Sequence, residues 1–307
     1  MSNAPGHVPV LADEVVRFFH DQPDGWIVDC TLGLGGHAGL LLRANPRISV
    51  LGLDVDEANL TTARERLAEF GDRFRSIQAN FGDLGAVLSE GGRSLAPVVG
   101  ILADLGVSSN QISDPMRGLS FDLDGPLDMR LDRRQKTTAA DLVNTLGEGE
   151  LSDLIYLQAQ ERHSRRIAKR ICQVRRQIRL NSTVQLARLV ASAVGEDPDS
   201  HRSRIHPATR TFMALRMAVN GEMQALGRLL DAAPRCLAIG GRIAVISFHS
   251  MEDRAVKENF KALSAAGCYE VLTKKPLTAA DAEQAANPRS RSAKLRVAMR
   301  VEGGGPS

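Results

Sequence analysis

Short apolar runs bounded by turn residues recur through the first third of the chain: WIVDC at 26–30, ISVLGL at 48–53, FRSIQA at 74–79 and VVGILAD at 98–104. Each has the length and side-chain content of a buried strand. A glycine-rich turn and a short helical stretch separate the first two. DEANLTTARERLAEF reads as a longer helix between the second and third. This βαβ rhythm predicts a parallel sheet with helices on its faces. The next strand pattern, RIAVISF, arrives only at 242–248, farther along than an ordinary crossover allows. Part of that interval reads as the helix leading into the strand, with Leu215, Val219, Met223, Leu226 and Leu230 at helical spacing and Pro207 placed for a first turn. The stretch 113–205 is large enough to be a domain of its own, and in it Ile167, Ile171, Val174 and Ile178 fall on one stripe. The pattern predicts an α/β, Rossmann-like domain formed by 1–112 and 206–307 and interrupted by an inserted all-helical domain at 113–205. CYEVLT and AKLRVAM supply a final antiparallel pair, and the tail VEGGGPS is expected to fray.

A length of 307 residues agrees with about two domains. No run of about eighteen apolar residues occurs, and the start, MSNAPGHVPVLADEVV, lacks the basic and apolar regions of a secretory signal. A cytoplasmic protein without a membrane partner is expected. Cys30, Cys172, Cys236 and Cys268 lie too far apart for a zinc site or a disulfide framework. The acidic loop of Asp122, Asp124, Asp128 and Asp132 fits no EF-hand spacing, so no metal is predicted. Charge is more informative. Residues 161–210 hold twelve Arg and Lys against four Asp and Glu, an excess of eight, whereas the whole chain nets +3. A basic block on an otherwise acidic chain points to a polyanion, because phosphate neutralisation dominates nucleic-acid affinity. Arg165, Arg166, Lys169, Arg170, Arg175, Arg176 and Arg179 lie largely off the apolar stripe, as an RNA-binding face requires. Arg289, Arg291, Lys294 and Arg296 in NPRSRSAKLR form a second cationic strip.

In DCTLGLGGHAGLLL, Asp29 ends a strand, Gly33, Gly35 and Gly36 form the turn, and an apolar helix follows. Such turns let backbone amides approach a ligand at a helix N-terminus. Gly33, Gly35 and Ala38 satisfy GxGxxA, and Asp54 follows at the interval of a ribose-binding carboxylate, a pattern compatible with NAD or another adenosine cofactor. Asp29, Asp54 and Asp104 all fall at carboxyl ends of predicted parallel strands. Three carboxylates favour a cation over a pyrophosphate, which makes S-adenosylmethionine the preferred cofactor and leaves an NAD-dependent oxidoreductase as the alternative. LAIGGR before the 242 strand and the antiparallel final pair point the same way, both being similar to features of class I methyltransferases.

The longer strings HVPVLADEVV, DCTLGLGGHAGLLL, LDVD, NFGDL, DLGVSSNQISDPMRGLSFDLDGPLDMRLD, HPATRTFMALRMAVNGEM, GGRIAVISFHSMEDRAVK and NPRSRSAKLR follow one another in order. With them the chain resembles the RsmH/MraW family of bacterial small-subunit ribosomal RNA (cytosine-N4)-methyltransferases over nearly its whole length. The resemblance implies a class I S-adenosylmethionine-dependent sheet and methylation of the exocyclic amine of a cytidine in the decoding region of 16S ribosomal RNA. Its partner would be that RNA or the assembled small subunit. The implied cofactor contacts are Gly35, Gly36, His37, Asp54, Phe81, Asp104 and Gln111. The turn amides and His37 would hold the methionine carboxylate, Asp54 the ribose hydroxyls and Phe81 the adenine, with Asp104 on the α-ammonium.

A cytosine amine is a weak nucleophile, so transfer needs alignment and an acceptor for amine hydrogen. Many amino-methyltransferases carry Asn/Asp-Pro-Pro-aromatic after the fourth strand, where this chain has Asp104, Leu105, Gly106, Val107, Ser108 and Ser109. The candidate acceptors are Asp104, a backbone carbonyl in 105–107, Ser108, Ser109, and His249 with Ser250. His249 reads equally as a structural histidine. A stacked cytidine must also be swung out to reach the donor. An RNA-binding assembly factor that keeps the cofactor pocket without turnover is a third reading, and whether two copies pair is left open.

Overall fold

The computed structural model describes residues 9–90, 95, 97–196 and 206–303; outside them lie 304–307 of the tail VEGGGPS, expected to fray, and 1–8 of the start, read as lacking a secretory signal. The chain divides into two compact units, Met1–Gly106 with Met223–Ser307, and Val107–Glu222.

The first unit is built on seven strands: β1 (Gly25–Asp29), β2 (Ile48–Asp54), β3 (Phe74–Gln78), β4 (Val98–Asp104), β5 (Arg242–Ser247), β6 (Tyr269–Val271) and β7 (Lys294–Arg300). Their order is β3-β2-β1-β4-β5-β7-β6. β1 to β5 run parallel, and β7 lies antiparallel between β5 and β6. All the strands expected from the apolar runs form, including the final antiparallel pair. This is a mostly parallel α/β sheet with its seventh strand reversed, as the sequence predicts.

Adjacent strand residues face opposite sides of a sheet. Ile27, Val50, Leu102 and Ala244 accordingly enter one core with Phe19, Leu41, Leu42 and Leu60, while Val28, Leu51, Ile101 and Val245 enter the other with Leu84, Leu229, Leu230 and Phe260. Both faces being covered explains why β4 is apolar along nearly its whole length rather than alternating. β3, at the sheet edge, does alternate, and its Ile77 is 41% exposed.

The second unit consists of helices Ser109–Ser113, Ala139–Thr145, Glu148–Ala159, Ser164–Val174, Thr183–Val194 and Thr209–Asn220 with their connecting loops. Leu151, Ile155, Ile167, Ile171, Leu186, Val190, Phe212 and Leu215 form its own core. Two expectations change here. The stripe through Ile178 stops early, because the helix ends at Val174 and Ile178 is exposed. The single helix expected through Leu215 and Leu230 is two helices, broken at Gly221, whose φ of 59° is left-handed. The first of them puts Phe212 and Leu215 into the helical core, so the unit extends to 222 rather than ending at 205.

Candidate functional site

Asp29, Asp54 and Asp104 are the last residues of β1, β2 and β4, three neighbouring parallel strands. Open α/β sheets bind ligands at this edge, beyond the carboxyl ends of the strands. Each aspartate is set by a local hydrogen bond. Asp29 Oδ1 accepts the Thr31 amide at 3.2 Å. Asp54 Oδ1 accepts the Asp56 amide at 2.8 Å, and its Oδ2 accepts the Gly33 amide at 2.9 Å and Asn59 Nδ2 at 3.1 Å. The glycine turn is therefore tied to the second strand by a carboxylate. The Thr31 hydroxyl in turn accepts the Asp104 amide at 2.6 Å, fixing the backbone where the third carboxyl projects.

Asp104 Oδ1 is buried and without a hydrogen-bond partner. Burial raises its pKa to about 8, with the charges of Asp29 and Glu252 adding to the rise and Arg289 opposing it. Burial likewise lifts Asp29 to about 7, aided by Asp54, and Asp54 to about 6. Three desolvated carboxyls this close resist ionising together, so a cation arriving among them gains strongly.

The turn that faces this rim is built for close approach. Gly35 takes φ 77° at the start of the helix Gly36–Ala44, and a Cβ on Gly36 would stand 2.7 Å from Pro9 Cγ. No side chain caps that helix, so its first turn presents backbone N–H groups at the end where the helix dipole is positive. His37, 7% exposed, contacts Val10 O through Nε2 at 2.9 Å. A carbonyl only accepts, so Nε2 is the donor and Nδ1 is left facing Asp104 Oδ2 at 3.7 Å. The ring is thus a strut between the N-terminal segment and Asp104. Phe81 follows β3 in a single turn capped by Asn80, whose Oδ1 accepts the Gly82 amide at 2.8 Å, and packs on the rim of the sheet core.

The structure brings Gly35, Gly36, His37, Asp54, Phe81 and Asp104 into the first unit. Ser108, Ser109 and Gln111 belong to the second, where Gln111 is buried and its Oε1 accepts the Ser108 amide at 3.1 Å at the start of helix Ser109–Ser113. His249 follows two residues after β5 and caps the helix Ser250–Ala265. Its Nδ1 accepts the Glu252 amide at 3.3 Å, and its Nε2 lies 3.1 Å from Glu252 Oε1 without hydrogen-bond alignment. Glu252 Oε2 accepts the amides of Phe248 and His249. With its lone-pair nitrogen occupied, the ring is a capping group rather than a free base.

The cationic candidates separate by environment. Arg165, Arg166, Lys169, Arg170 and Arg176 are exposed, as is Arg162, which the sequence reading passed over; none has a carboxylate partner among the described residues. Arg175 is half-buried and donates to Val143 O at 2.8 Å, and Arg179 pairs with Asp141 at 3.3 Å. In the second strip, Asp253 holds Arg296 at 2.7 Å and Lys294 at 3.4 Å, Arg291 is exposed, and Arg289 is half-buried. In the acidic loop, Asp124 accepts from Ser182 at 2.5 Å, Asp128 pairs with Arg130 and Asp132 with Arg134. Thr31, Asn59 and Glu252 were missed at sequence level. Thr31 and Glu252 stand inside the strings DCTLGLGGHAGLLL and GGRIAVISFHSMEDRAVK, and Asn59 one turn into the helix that follows LDVD.

Residues 4–301 match the family model described as the MraW methylase family. The chain belongs to the MraW methylase family. A relative from Cyanothece sp. named "Ribosomal RNA small subunit methyltransferase H" is 48% identical over 298 residues, covering 96% of this chain and 95% of the relative. One of the same name from Sorangium cellulosum is 48% identical, with 97% and 91% covered. Among solved structures, an rRNA methylase from Streptococcus thermophilus aligns with a TM-score of 0.43 at 12% identity, covering 97% of this chain and all of that one.

Proposed function

We propose that this chain is an S-adenosylmethionine-dependent methyltransferase that modifies the exocyclic amine of a cytidine in small-subunit ribosomal RNA. The observation that carries the reading is the buried, unpartnered Oδ1 of Asp104 at one end of a three-aspartate rim beside an uncapped helix N-terminus. That donor set fits a zwitterionic, cationic ligand. The helix amides suit the methionine carboxylate, Asp54 the ribose hydroxyls, Phe81 the adenine face and Asp104 the cationic end. A dinucleotide pyrophosphate would meet three carboxyls instead, which disfavours an NAD-dependent oxidoreductase.

The bound donor supplies an electrophilic methyl group on a positively charged sulfur. Asp104 and Asp29 would release their protons to solvent as that charge arrives and hold it as carboxylates. As the N–C bond forms and the donor's S–C bond breaks, the amine would release a hydrogen to an ionised carboxylate of the rim. Thr31 keeps Asp104 in place. His249 caps the helix Ser250–Ala265 that follows β5. The exposed cations on helix Ser164–Val174 hold the surrounding RNA through its phosphates. No helix among the described residues is long and apolar enough to cross a membrane, and a cytoplasmic site of action follows from a ribosomal substrate.

Two measurements test the reading. Calorimetry should show micromolar binding of S-adenosylmethionine or its demethylated product and none of NAD; the opposite result removes the proposal. Small subunits lacking the modification, incubated with this protein and labelled donor, should acquire label in RNA. Binding without transfer would leave a non-catalytic assembly factor instead.

A further inference from the structure

Of the Phe, Tyr and Trp side chains, all of which fall within the described residues, Tyr156 alone is exposed, at 54%. It lies on the helix Glu148–Ala159, which buries Leu151, Ser152, Ile155 and Ala159 and leaves the tyrosine out of its core. Tyr156 stands one turn beyond Ser152, on the same ridge. The Ser152 hydroxyl meets that of Ser164, the first residue of helix Ser164–Val174, at 3.3 Å.

That contact places the connection between the two helices. Gln160 takes a left-handed φ of 51°, Glu161 is buried, and the chain returns roughly 10 Å along the first helix, from the level of Ala159 to that of Ser152. Arg162 and His163 therefore pass the turn that carries Tyr156, and Arg165 follows directly after the serine contact. Arg162, Arg165, Arg166, Lys169 and Arg170 are exposed and form no ion pair among the described residues. The acids of the first helix, Glu148, Glu150 and Asp153, lie in its N-terminal half. The exposed ring thus stands where negative charge gives way to a run of unpaired cations.

A duplex hides the faces of its bases, whereas an aromatic ring flanked by guanidinium groups suits an unpaired base with a phosphate on either side. Resting on the reading of a ribosomal RNA substrate, we propose that Tyr156 is a stacking site for an unpaired base of that RNA, with Arg162 and Arg165 on the phosphates beside it. The cations of helix Ser164–Val174 attract any polyanion. The ring selects a segment whose bases are free, and so gives this face a preference that charge alone does not supply.

Wild-type protein, Tyr156→Phe, Tyr156→Ala and Arg165→Ala are compared for binding to single-stranded small-subunit RNA fragments, intact or carrying one abasic nucleotide, and to a fully paired duplex of the same length. Tyr156→Ala should keep its melting temperature and bind the intact fragment at least about five-fold more weakly, with an unchanged salt slope, because stacking neutralises no phosphate. Tyr156→Phe should bind like wild type, and Arg165→Ala should lose affinity with a slope shallower by about one contact. At one abasic position the wild-type advantage over Tyr156→Ala should vanish, and on the duplex there should be none. The proposal is overturned if Tyr156→Ala binds as wild type does, if Tyr156→Phe binds as poorly as Tyr156→Ala, if no abasic position removes the difference, or if the duplex shows the same loss. Wild-type protein that binds RNA but transfers no label would overturn the methyl-transfer reading, while these binding differences still decide the role of Tyr156.

Discussion

At the scale of single residues, the three strand-end aspartates dominate, and their behaviour follows from desolvation rather than from any one contact. A carboxyl whose folded pKa is raised binds protons that the unfolded chain has released, so stability falls as pH climbs from the ordinary carboxylate range toward the folded value. For Asp104 that window runs from 3.8 to about 8, and for Asp29 to about 7. The thermal midpoint of the ligand-free protein should therefore drop between pH 6 and pH 8.5, and Asp104→Asn should flatten that drop, as melting curves across the range would show. A cationic donor reverses the preference, because it favours the ionised carboxyls. Its affinity should tighten over the same pH interval more than that of the neutral-sulfur product. Asp54→Ala removes the acceptor of Gly33, Asp56 and Asn59 together, and a loss of about ten-fold or more in cofactor affinity is expected by calorimetry.

At the scale of elements, the glycine turn and the basic helix make opposite demands. The turn tolerates no added volume: Gly36→Ala must displace Pro9, and Gly35→Ala must hold φ 77° with its Cβ 2.9 Å from Leu67 Cδ1. Each should cost about 1–3 kcal/mol of stability by chemical denaturation. Helix Ser164–Val174 carries its cations on a face that supports nothing underneath. Replacing Arg165, Arg166, Lys169 and Arg170 together with alanine should leave the melting temperature nearly unchanged and weaken RNA binding, with a shallower salt dependence. An unaltered slope would mean that RNA does not use this face. Arg175→Ala should do the reverse, costing about 1–3 kcal/mol because Val143 O loses its donor while RNA binding changes little. In sequence, Arg175 and Arg170 look alike. Only the helix end near Val143 separates a structural arginine from an exposed one.

At the scale of the whole molecule, the helical unit owns its core, with Leu151, Ile171, Phe212 and Leu215 all inside 107–222. Expressed alone, that segment should give a cooperative thermal transition with helical circular dichroism, and a featureless melt would show that it depends on the sheet.

Much of this was legible along the chain. Buried parallel strands must be apolar on both faces and bounded by turns, so the five parallel strands could be read from runs such as WIVDC and VVGILAD, and the aspartates that end three of them came with those runs. Periodicity could not reveal the break at Gly221, because two successive helices with apolar faces mimic one long helix. What the sequence by itself determined was the sheet, the glycine turn and the presence of a basic block, all consequences of local spacing. The tertiary structure alone decided which polar groups are already spoken for: His249 by Glu252, Lys294 and Arg296 by Asp253, Arg175 by Val143, and His37 by Val10. It also decided which are not, with Asp104 Oδ1 foremost. The physical reason is that most of these bonds depend on a partner dozens of residues away, as Arg175 on Val143, Arg296 on Asp253 and His37 on Val10, while the bond between His249 and Glu252 needs the local cap to form, and burial, which gives Asp104 its perturbed carboxyl, is a property of the folded chain.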